Sequence, residues 1–413
     1  MLISTDLRPN EARALEALFR AGALSRAALA RELGLTRSTT GALVQNLLDA
    51  CLAKERPDAS DGPTDSPTRV GRPGILVEID GDGAFFLGAY VGVNWIGALA
   101  IDLTGTVRAR ASADFTGAGS SPEKSAEAIS DLVAEIIAKL PPGARLNGLN
   151  VSVPGFLADD GVTYHAPILG WHGVNLAELL PAALHIELPI LLENDANAVA
   201  VAETYRVRRR EEAGEDCLVV LIENGVGGGI VSAGGLHRGQ RLGAGEIGHI
   251  PIGDEGFVYD AQRPGRLETF LGKDALFARY RHVGGHATTI DDFTRALERG
   301  EPAAVTASRD WARWLARGLA TLTCILQPGR IIIAGSVSVV YPFVAGHVEA
   351  YLSTYLIEGY PLPKIEMSNA GADGPALGAA YLLHQSALSG DIRFPLRGRK
   401  RLEDRPLSPT WPR

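Results

Sequence analysis

Leu191-Leu-Glu-Asn-Asp-Ala-Asn-Ala198 is an apolar run that stops abruptly at Asn194 and Asp195. A break of this kind marks the carboxyl end of a strand, where ligand chemistry gathers in open α/β sheets. An Asp carboxylate can take a hydroxyl's proton or accept its hydrogen bond, and an adjacent Asn amide both donates and accepts. The same pair serves more often as a helix cap or turn. Catalysis, ligand reading and capping all stay open at this position, and the rest of the chain must choose among them.

On both sides of this stretch, strands and helices alternate. Residues 86–103 read as a hairpin, 124–140 as an amphipathic helix and 146–153 as a strand. A second series starts at Cys217-Leu-Val-Val-Leu-Ile222 and runs through a glycine-rich turn to Ile230-Val231. Helices over residues 303–326, a strand at Ile331-Ile-Ile-Ala334 and a helix from near Pro375 complete it. Two α/β lobes facing one cleft account for both series.

The amino-terminal region has a different texture. Between Asn10 and Ala50, helical periodicity is broken at Ala21-Gly22 and at Leu33-Gly-Leu-Thr36, which gives three short helices. Ser25 is placed to cap the second, Gly34 to turn, and Thr36-Arg-Ser-Thr-Thr40 to open the third, as in a helix-turn-helix. Residues 52–56 and Gly74-Ile-Leu-Val-Glu-Ile79 then read as a β-wing with a long polar tip. Thr36, Arg37, Ser38, Thr39 and Thr40 would meet base edges and phosphates at the start of a reading helix. Arg72, in Gly71-Arg72-Pro73, could lie in a minor groove, although the same tripeptide could be a plain turn before a strand.

Composition bounds these readings. The chain has 413 residues, 46% hydrophobic and 21% charged, which suits a folded protein of two or three domains. The formal net charge of −8 argues against a protein that coats nucleic acid indiscriminately. Neither a leader-like start nor an apolar run of membrane length is present, so a cytoplasmic location without membrane contact is expected. Cys51, Cys217 and Cys324 are widely spaced in apolar surroundings and read as buried free thiols.

Glycine clusters at Val153-Pro-Gly155, Gly225-Val-Gly-Gly-Gly229 and Gly374–Gly378 fit turns whose amides could approach a phosphate, or equally tight turns between strands. Glu246-Ile-Gly-His249 follows Arg241-Leu-Gly-Ala-Gly245, and Glu268 lies in Gly265-Arg-Leu-Glu-Thr269. Two carboxylates and an imidazole in glycine-rich loops can clamp vicinal hydroxyls, as a sugar requires. A solvated surface pair or a metal-ligating His249 would also fit, but no cysteine lies near enough to complete a zinc site, so no metal is expected.

Together these residues resemble the ROK family of repressors, open reading frames and kinases, specifically its transcription-factor branch. The resemblance rests on Val153-Pro-Gly155, Gly170-Trp-His-Gly-Val-Asn-Leu176, Glu193-Asn-Asp-Ala-Asn-Ala198, Gly243-Ala-Gly-Glu-Ile-Gly-His249 and Leu267-Glu268, and covers nearly the whole chain. It implies an α/β protein with an N-terminal winged helix-turn-helix over residues 1–80. A two-lobed actin-like, hexokinase-like ROK domain follows, with lobes at 81–200 and 201–388 and the last helix free to pack back on the first lobe. A basic, proline-containing tail occupies 389–413. The resemblance also makes Asn194, Asp195, Glu246, His249 and Glu268 sugar contacts, with Asp195 at the kinases' catalytic-base position.

Three departures separate the chain from the family's kinases. The first phosphate loop, Asp-x-Gly-x-Thr, is here Tyr90-Val-Gly-Val-Asn94; the second, usually Gly-Thr-Gly, is Glu223-Asn-Gly225. The zinc loop, Cys-x-Cys-Gly-x-x-Gly-Cys, aligns with Tyr259-Asp-Ala-Gln-Arg-Pro-Gly-Arg266, which has no thiolate. Because phosphoryl transfer depends on positioning and on neutralising phosphate charge, useful kinase activity is not expected even with Asp195 retained. The expected function is a sugar-responsive repressor, a homodimer or dimer of dimers, with operator DNA and a monosaccharide or sugar derivative as partners and no cofactor. The alternatives are an active sugar kinase carrying a DNA-binding domain, and a repressor controlled by a partner such as a sugar-transport protein.

Overall fold

The computed structural model describes residues 7–57, 75–158, 164–184, 186–205, 216–258 and 264–389. Its first part comprises α1 (Pro9–Ala21), β1 (Ala23–Ser25), α2 (Arg26–Leu33), α3 (Arg37–Asp49), β2 (Ala53–Pro57) and β3 (Ile75–Ile79). Ser25 caps α2 by accepting from the Ala28 amide, Gly34 ends it in the left-handed conformation, and Thr36 caps α3. The apolar faces meet at Leu15, Leu18, Leu29, Val44 and Val77, all fully buried. The strands pair antiparallel in the order β1-β3-β2, completing a winged helix-turn-helix. The expected wing tip, including Arg72, lies outside the described residues.

The first lobe holds β4 (Phe85–Val91), β5 (Trp95–Asp102), β6 (Val107–Asp114), α4 (Pro122–Lys139) and β7 (Leu146–Val153). It continues through β8 (Phe156–Leu157), β9 (Tyr164–Ala166), β10 (Trp171–Val174), α5 (Leu176–Leu184) and β11 (Ile190–Asn194). Its main sheet runs β11-β7-β4-β5-β6, with β4 antiparallel to β5 and parallel to β7. After α6 (Asp195–Tyr205), the second lobe begins with the strands β12 (Cys217–Ile222), β13 (Val226–Ser232) and β14 (Gly235–Leu236). The helices α7 (Leu267–Leu271), α8 (Lys273–His282), α9 (Ile290–Glu298) and α10 (Pro302–Leu326) precede β15 (Arg330–Ala334), α11 (Tyr341–Tyr355), β16 (Lys364–Met367) and α12 (Gly374–Ser389). The sheet order β14-β13-β12-β15-β16 repeats that of the first lobe: antiparallel strands at one side, parallel strands at the other.

Two helices join the lobes. α6 packs on β12 and β13, α12 packs on β4 and β7, and the two helices pack on each other. The glycine clusters serve this packing. Gly227, Gly228 and Gly229 lie inside β13 rather than in the turn expected from sequence. A Cβ at Gly229 would stand 2.5 Å from the Ala196 carbonyl oxygen, and one at Gly378 would stand 1.6 Å from that of Ala198. These positions need glycine because backbone meets backbone there, not because a phosphate does. The cysteines also depart from expectation: Cys217 is buried, whereas Cys51 and Cys324 are exposed. Among the described residues, no helix is long and apolar enough to cross a membrane.

The winged helix is bound into the same core. One apolar cluster joins Leu15 and Leu18 of α1 to Phe86 and Leu99 of the first lobe and to Tyr381 of α12. Phe19 of α1 stacks on Tyr205 at the end of α6, with centroids 5.5 Å apart, and lies 4.9 Å from His384 of α12. The Tyr205 hydroxyl is 2.7 Å from His384 Nδ1, and His384 Nε2 is 2.8 Å from the Leu103 carbonyl oxygen.

Candidate effector site and DNA interface

β7 and β11 are parallel neighbours with Val153 opposite Asn194, so two site loops leave the sheet side by side. Asn194 is the cap of α6: its Oδ1 accepts from the Asn197 amide at 2.9 Å, while its Nδ2 donates to the Gly155 carbonyl at 2.6 Å. These two bonds use one amide hydrogen and one oxygen lone pair, half of what the Asn194 side chain offers. Glu193 braces this turn from behind. Its Oε1 accepts from the Asn194 amide and from Asn197 Nδ2, and its Oε2 forms an ion pair with Arg238 at 2.5 Å.

Asp195 is the first residue of α6 and is buried, with Oδ1 accepting from the Ala196 amide at 2.8 Å. Burial raises its carboxyl to about 7, against the hydrogen bond from Ala196, and the charges of Glu223 and Glu246 raise it further. A group titrating there can present either an acceptor or a donor to a hydroxyl at neutral pH. Burial also holds the Tyr90 and Tyr164 phenols well above their usual range, reinforced by Asp195. The Tyr164 hydroxyl lies 2.8 Å from the Val153 carbonyl oxygen and 2.6 Å from that of Glu193, tying the two strand ends together.

The second lobe supplies the facing groups. Gly245, at φ +96°, tucks under Gly228, whose amide donates to the Gly245 carbonyl at 2.8 Å, and this directs Glu246 and the short 3-10 turn Ile247–His249. His249 Nε2 lies 3.7 Å from Glu246 Oε2, and its Nδ1 lies 3.3 Å from Glu268 Oε1. Glu246 is raised by burial, and the charge of Glu268 raises it further. Asp195, Glu246, His249 and Glu268 thus form one electrostatically coupled group beside Asn194.

Glu223 takes a different role. Its Oε1 accepts from the Ser336 amide at 2.6 Å and its Oε2 from the Ser336 hydroxyl at 2.5 Å, across 113 residues of chain. Ser336 opens a 3-10 turn after Gly335, and the Glu223 carboxylate takes up both its amide and its hydroxyl. Among the described residues, nothing beside His249 completes a zinc site. Arg266 NH1 lies 2.6 Å from its Nδ1, no cysteine occurs between Cys217 and Cys324, and the described residues contain no group of three or more His, Cys, Asp or Glu arranged for a metal.

On the winged helix, Thr36, Arg37, Ser38 and Thr39 are exposed at the start of α3. The Thr36 and Thr39 hydroxyls pair with each other at 2.8 Å. Thr40 corrects the expectation: it is fully buried and donates to the Thr36 carbonyl at 3.0 Å, because the fourth residue of the helix turns toward Leu43 and Val44 in the core. It is not available to DNA. Glu193, Arg238, Arg266 and Ser336 were not among the site residues expected from sequence. Glu193 lies within the quoted motif and could have been suspected, whereas Arg238 carries no local signal.

With this geometry in place, comparison with known proteins gives the class. Residues 86–386 match the ROK family model, and residues 5–62 match that of the MarR family. The chain belongs to the ROK family, with a winged helix-turn-helix at its amino end. It is 23% identical over 379 residues to the xylose repressor of Bacillus subtilis (strain 168), covering 91% of this chain and 94% of the repressor. It is 28% identical over 261 residues to a glucokinase of Halalkalibacterium halodurans, covering 58% and 77%. Among solved structures, a ROK family transcriptional regulator described as a homolog of the E. coli MLC protein aligns with a TM-score of 0.75 at 21% identity, over 92% of this chain and 96% of that one. A ROK family glucokinase from Streptomyces griseus, in complex with glucose and AMPPNP, aligns with a TM-score of 0.61 at 25% identity, over 73% and 100%. The matches to the xylose repressor and to the ROK transcriptional regulator thus cover more than nine-tenths of the chain, the glucokinase matches less than three quarters.

Proposed function

We propose that the chain is a sugar-responsive DNA-binding transcriptional regulator, acting as a repressor through a kinase-like domain that senses its ligand without phosphorylating it. The observation that carries this reading is α6, which begins at Asp195 in the cleft and ends at Tyr205 against Phe19 of the winged helix. Asn194, Asp195, Glu246, His249 and Glu268 would hold the hydroxyls of a monosaccharide. Thr36, Arg37, Ser38 and Thr39 would meet operator DNA, with two copies of the chain on a pseudo-palindromic site. Residues 1–80 would be the reader, 81–200 and 201–388 the two lobes, and 389–413 a tail. Lobe closure on the sugar would then change how the readers are presented, with a coupling of about 1–3 kcal/mol.

Glu223 supports a sensor over an enzyme, since its carboxylate, held on Ser336, would repel nucleotide phosphates. The alternative of an active sugar kinase draws on Asp195, raised to about 7, a suitable value for a general base. Gel shifts on DNA upstream of the chain's own gene, with and without D-xylose, D-glucose and other monosaccharides, test the regulator. Specific retardation that a sugar alters is expected, and no retardation under any condition would refute it. Turnover of MgATP with a hexose, lost in Asp195→Asn, would establish the kinase instead.

A further inference from the structure

We propose that Arg266 replaces the zinc ion of the family pattern: its guanidinium is a built-in cation that fixes the His249 imidazole and the Glu268 carboxylate, so the effector loops assemble without metal. In the family pattern that the resemblance brings, the last thiolate corresponds to Arg266. The backbone around Arg266 is held closely against the preceding segment. Gly265 holds φ +73°, a Cβ there would stand 1.8 Å from the Gly253 carbonyl oxygen, and the Ile252 and Gly253 amides donate to the Gly265 carbonyl at 2.9 and 3.2 Å. Arg266 bridges to Pro251, and the Leu267 amide donates to the Ile250 carbonyl at 3.0 Å, so the segments carrying His249 and Glu268 are tied on either side of the guanidinium.

The side-chain chemistry follows from one contact. Arg266 is a permanent cation with no acceptor, so at 2.6 Å it must donate to His249 Nδ1, which is then the unprotonated nitrogen. The imidazole is thereby fixed as the neutral Nε2–H tautomer, as coordination of a metal through Nδ1 would also fix it. Glu268 Oε1, 3.9 Å from the same NH1, lies within the field of that cation. The Arg266 side chain is 19% exposed against 41% for His249, so the cation is the inner member and the imidazole edge is the one turned toward solvent. Nε2–H is left to serve a ligand acceptor near Glu246. Only this last step rests on the sugar-sensing reading.

The test uses the full chain, with tautomer and metal content read separately from ligand binding. Nitrogen-15 NMR of histidine-labelled protein should show His249 as the Nε2–H tautomer at neutral pH, and Arg266→Ala should abolish that fixed state while Arg266→Lys partly restores it. Metal analysis should find less than one zinc in ten chains, and EDTA should leave the melting temperature unchanged. Titration with D-xylose and D-glucose should show roughly tenfold weaker binding in Arg266→Ala for whichever sugar the native chain binds, the cost of one charge-assisted hydrogen bond. Stoichiometric zinc, destabilisation by EDTA, or a His249 spectrum unmoved by Arg266→Ala in a protein that still melts cooperatively would overturn the proposal. Failure of the native chain to bind any sugar would refute the sensing reading but leave the tautomer and metal results to decide the role of Arg266.

Discussion

Asp195 and Tyr205 are the two ends of one 11-residue helix, so the buried carboxyl in the cleft and the ring against the winged helix are joined by a rod about 16 Å long. Because the helix packs on the β12/β13 hairpin and on α12, a shift of its first turn is expected to reach its last. Tyr205→Phe, which removes the hydroxyl 2.7 Å from His384 Nδ1, should lower stability by about 1–2 kcal/mol. It should also weaken the effect of sugar on operator binding more than sugar binding itself. Equal loss of both would show that Tyr205 only supports the fold.

The raised Asp195 carboxyl sets a pH dependence. Its native value of about 7 lies above the ordinary 3.8, so between these values the native chain binds the proton that the unfolded chain has released. Stability therefore falls as pH rises from about 4 to 7 and levels off above, by up to about 4 kcal/mol. Asp195→Asn, which keeps the acceptor for the Ala196 amide, should flatten this part of the profile and melt higher than the native chain at pH 8. Chemical denaturation at pH 5 and pH 8 checks it, and parallel profiles for the two proteins would be the contrary result.

Glu223 contributes to that shift and holds Ser336. Glu223→Gln should bring the Asp195 midpoint down by removing a like charge, while keeping one acceptor for the Ser336 amide. Carbon-13 titration of the aspartate carboxyls would follow it. An unmoved midpoint would mean that the Glu223 charge does not contribute to the shift.

These readings differ in how far the sequence discloses them. The strand ending at Asn194, the repeated lobes and the helix breaks at Gly22 and Gly34 are local patterns, and the structure places them as their periodicity and turn chemistry imply. Thr40 failed because its neighbours suggested one polar face, whereas the fourth helical position turns inward. The glycines of β13 failed for another reason: a close approach between backbones leaves the same trace in sequence as a phosphate turn. Arg238 with Glu193, Arg266 with His249, and Glu223 with Ser336 join separate loops, so no local window contains both partners.

Packing of the two lobe-joining helices can be tested with alanine. Gly378→Ala places a Cβ 1.6 Å from the Ala198 carbonyl oxygen and should destabilise by at least about 3 kcal/mol. Gly346→Ala, in the middle of α11 with nothing within 4 Å, should stabilise by up to about 1 kcal/mol. Similar melting temperatures for both variants would contradict the close approach of α6 and α12.

At the DNA end, Arg37→Ala should weaken operator binding by about 1–3 kcal/mol while leaving sugar binding alone. Thr40→Ala should lower stability without changing affinity for the operator in the folded protein. Anisotropy titrations with a labelled operator separate the two, and normal affinity in Arg37→Ala would remove that residue from the interface.

In the proposed regulator, occupancy at Asp195 is relayed to the winged helix. Operator affinity of the full chain, titrated with and without the sugar that binds it, tests this most directly when repeated for Asp195→Asn. The account predicts a sugar-dependent change of about 5- to 150-fold in the native chain, absent in the variant although its sugar-free operator affinity is retained. An undiminished sugar response in Asp195→Asn, or none in the native chain when sugar is bound, would contradict it.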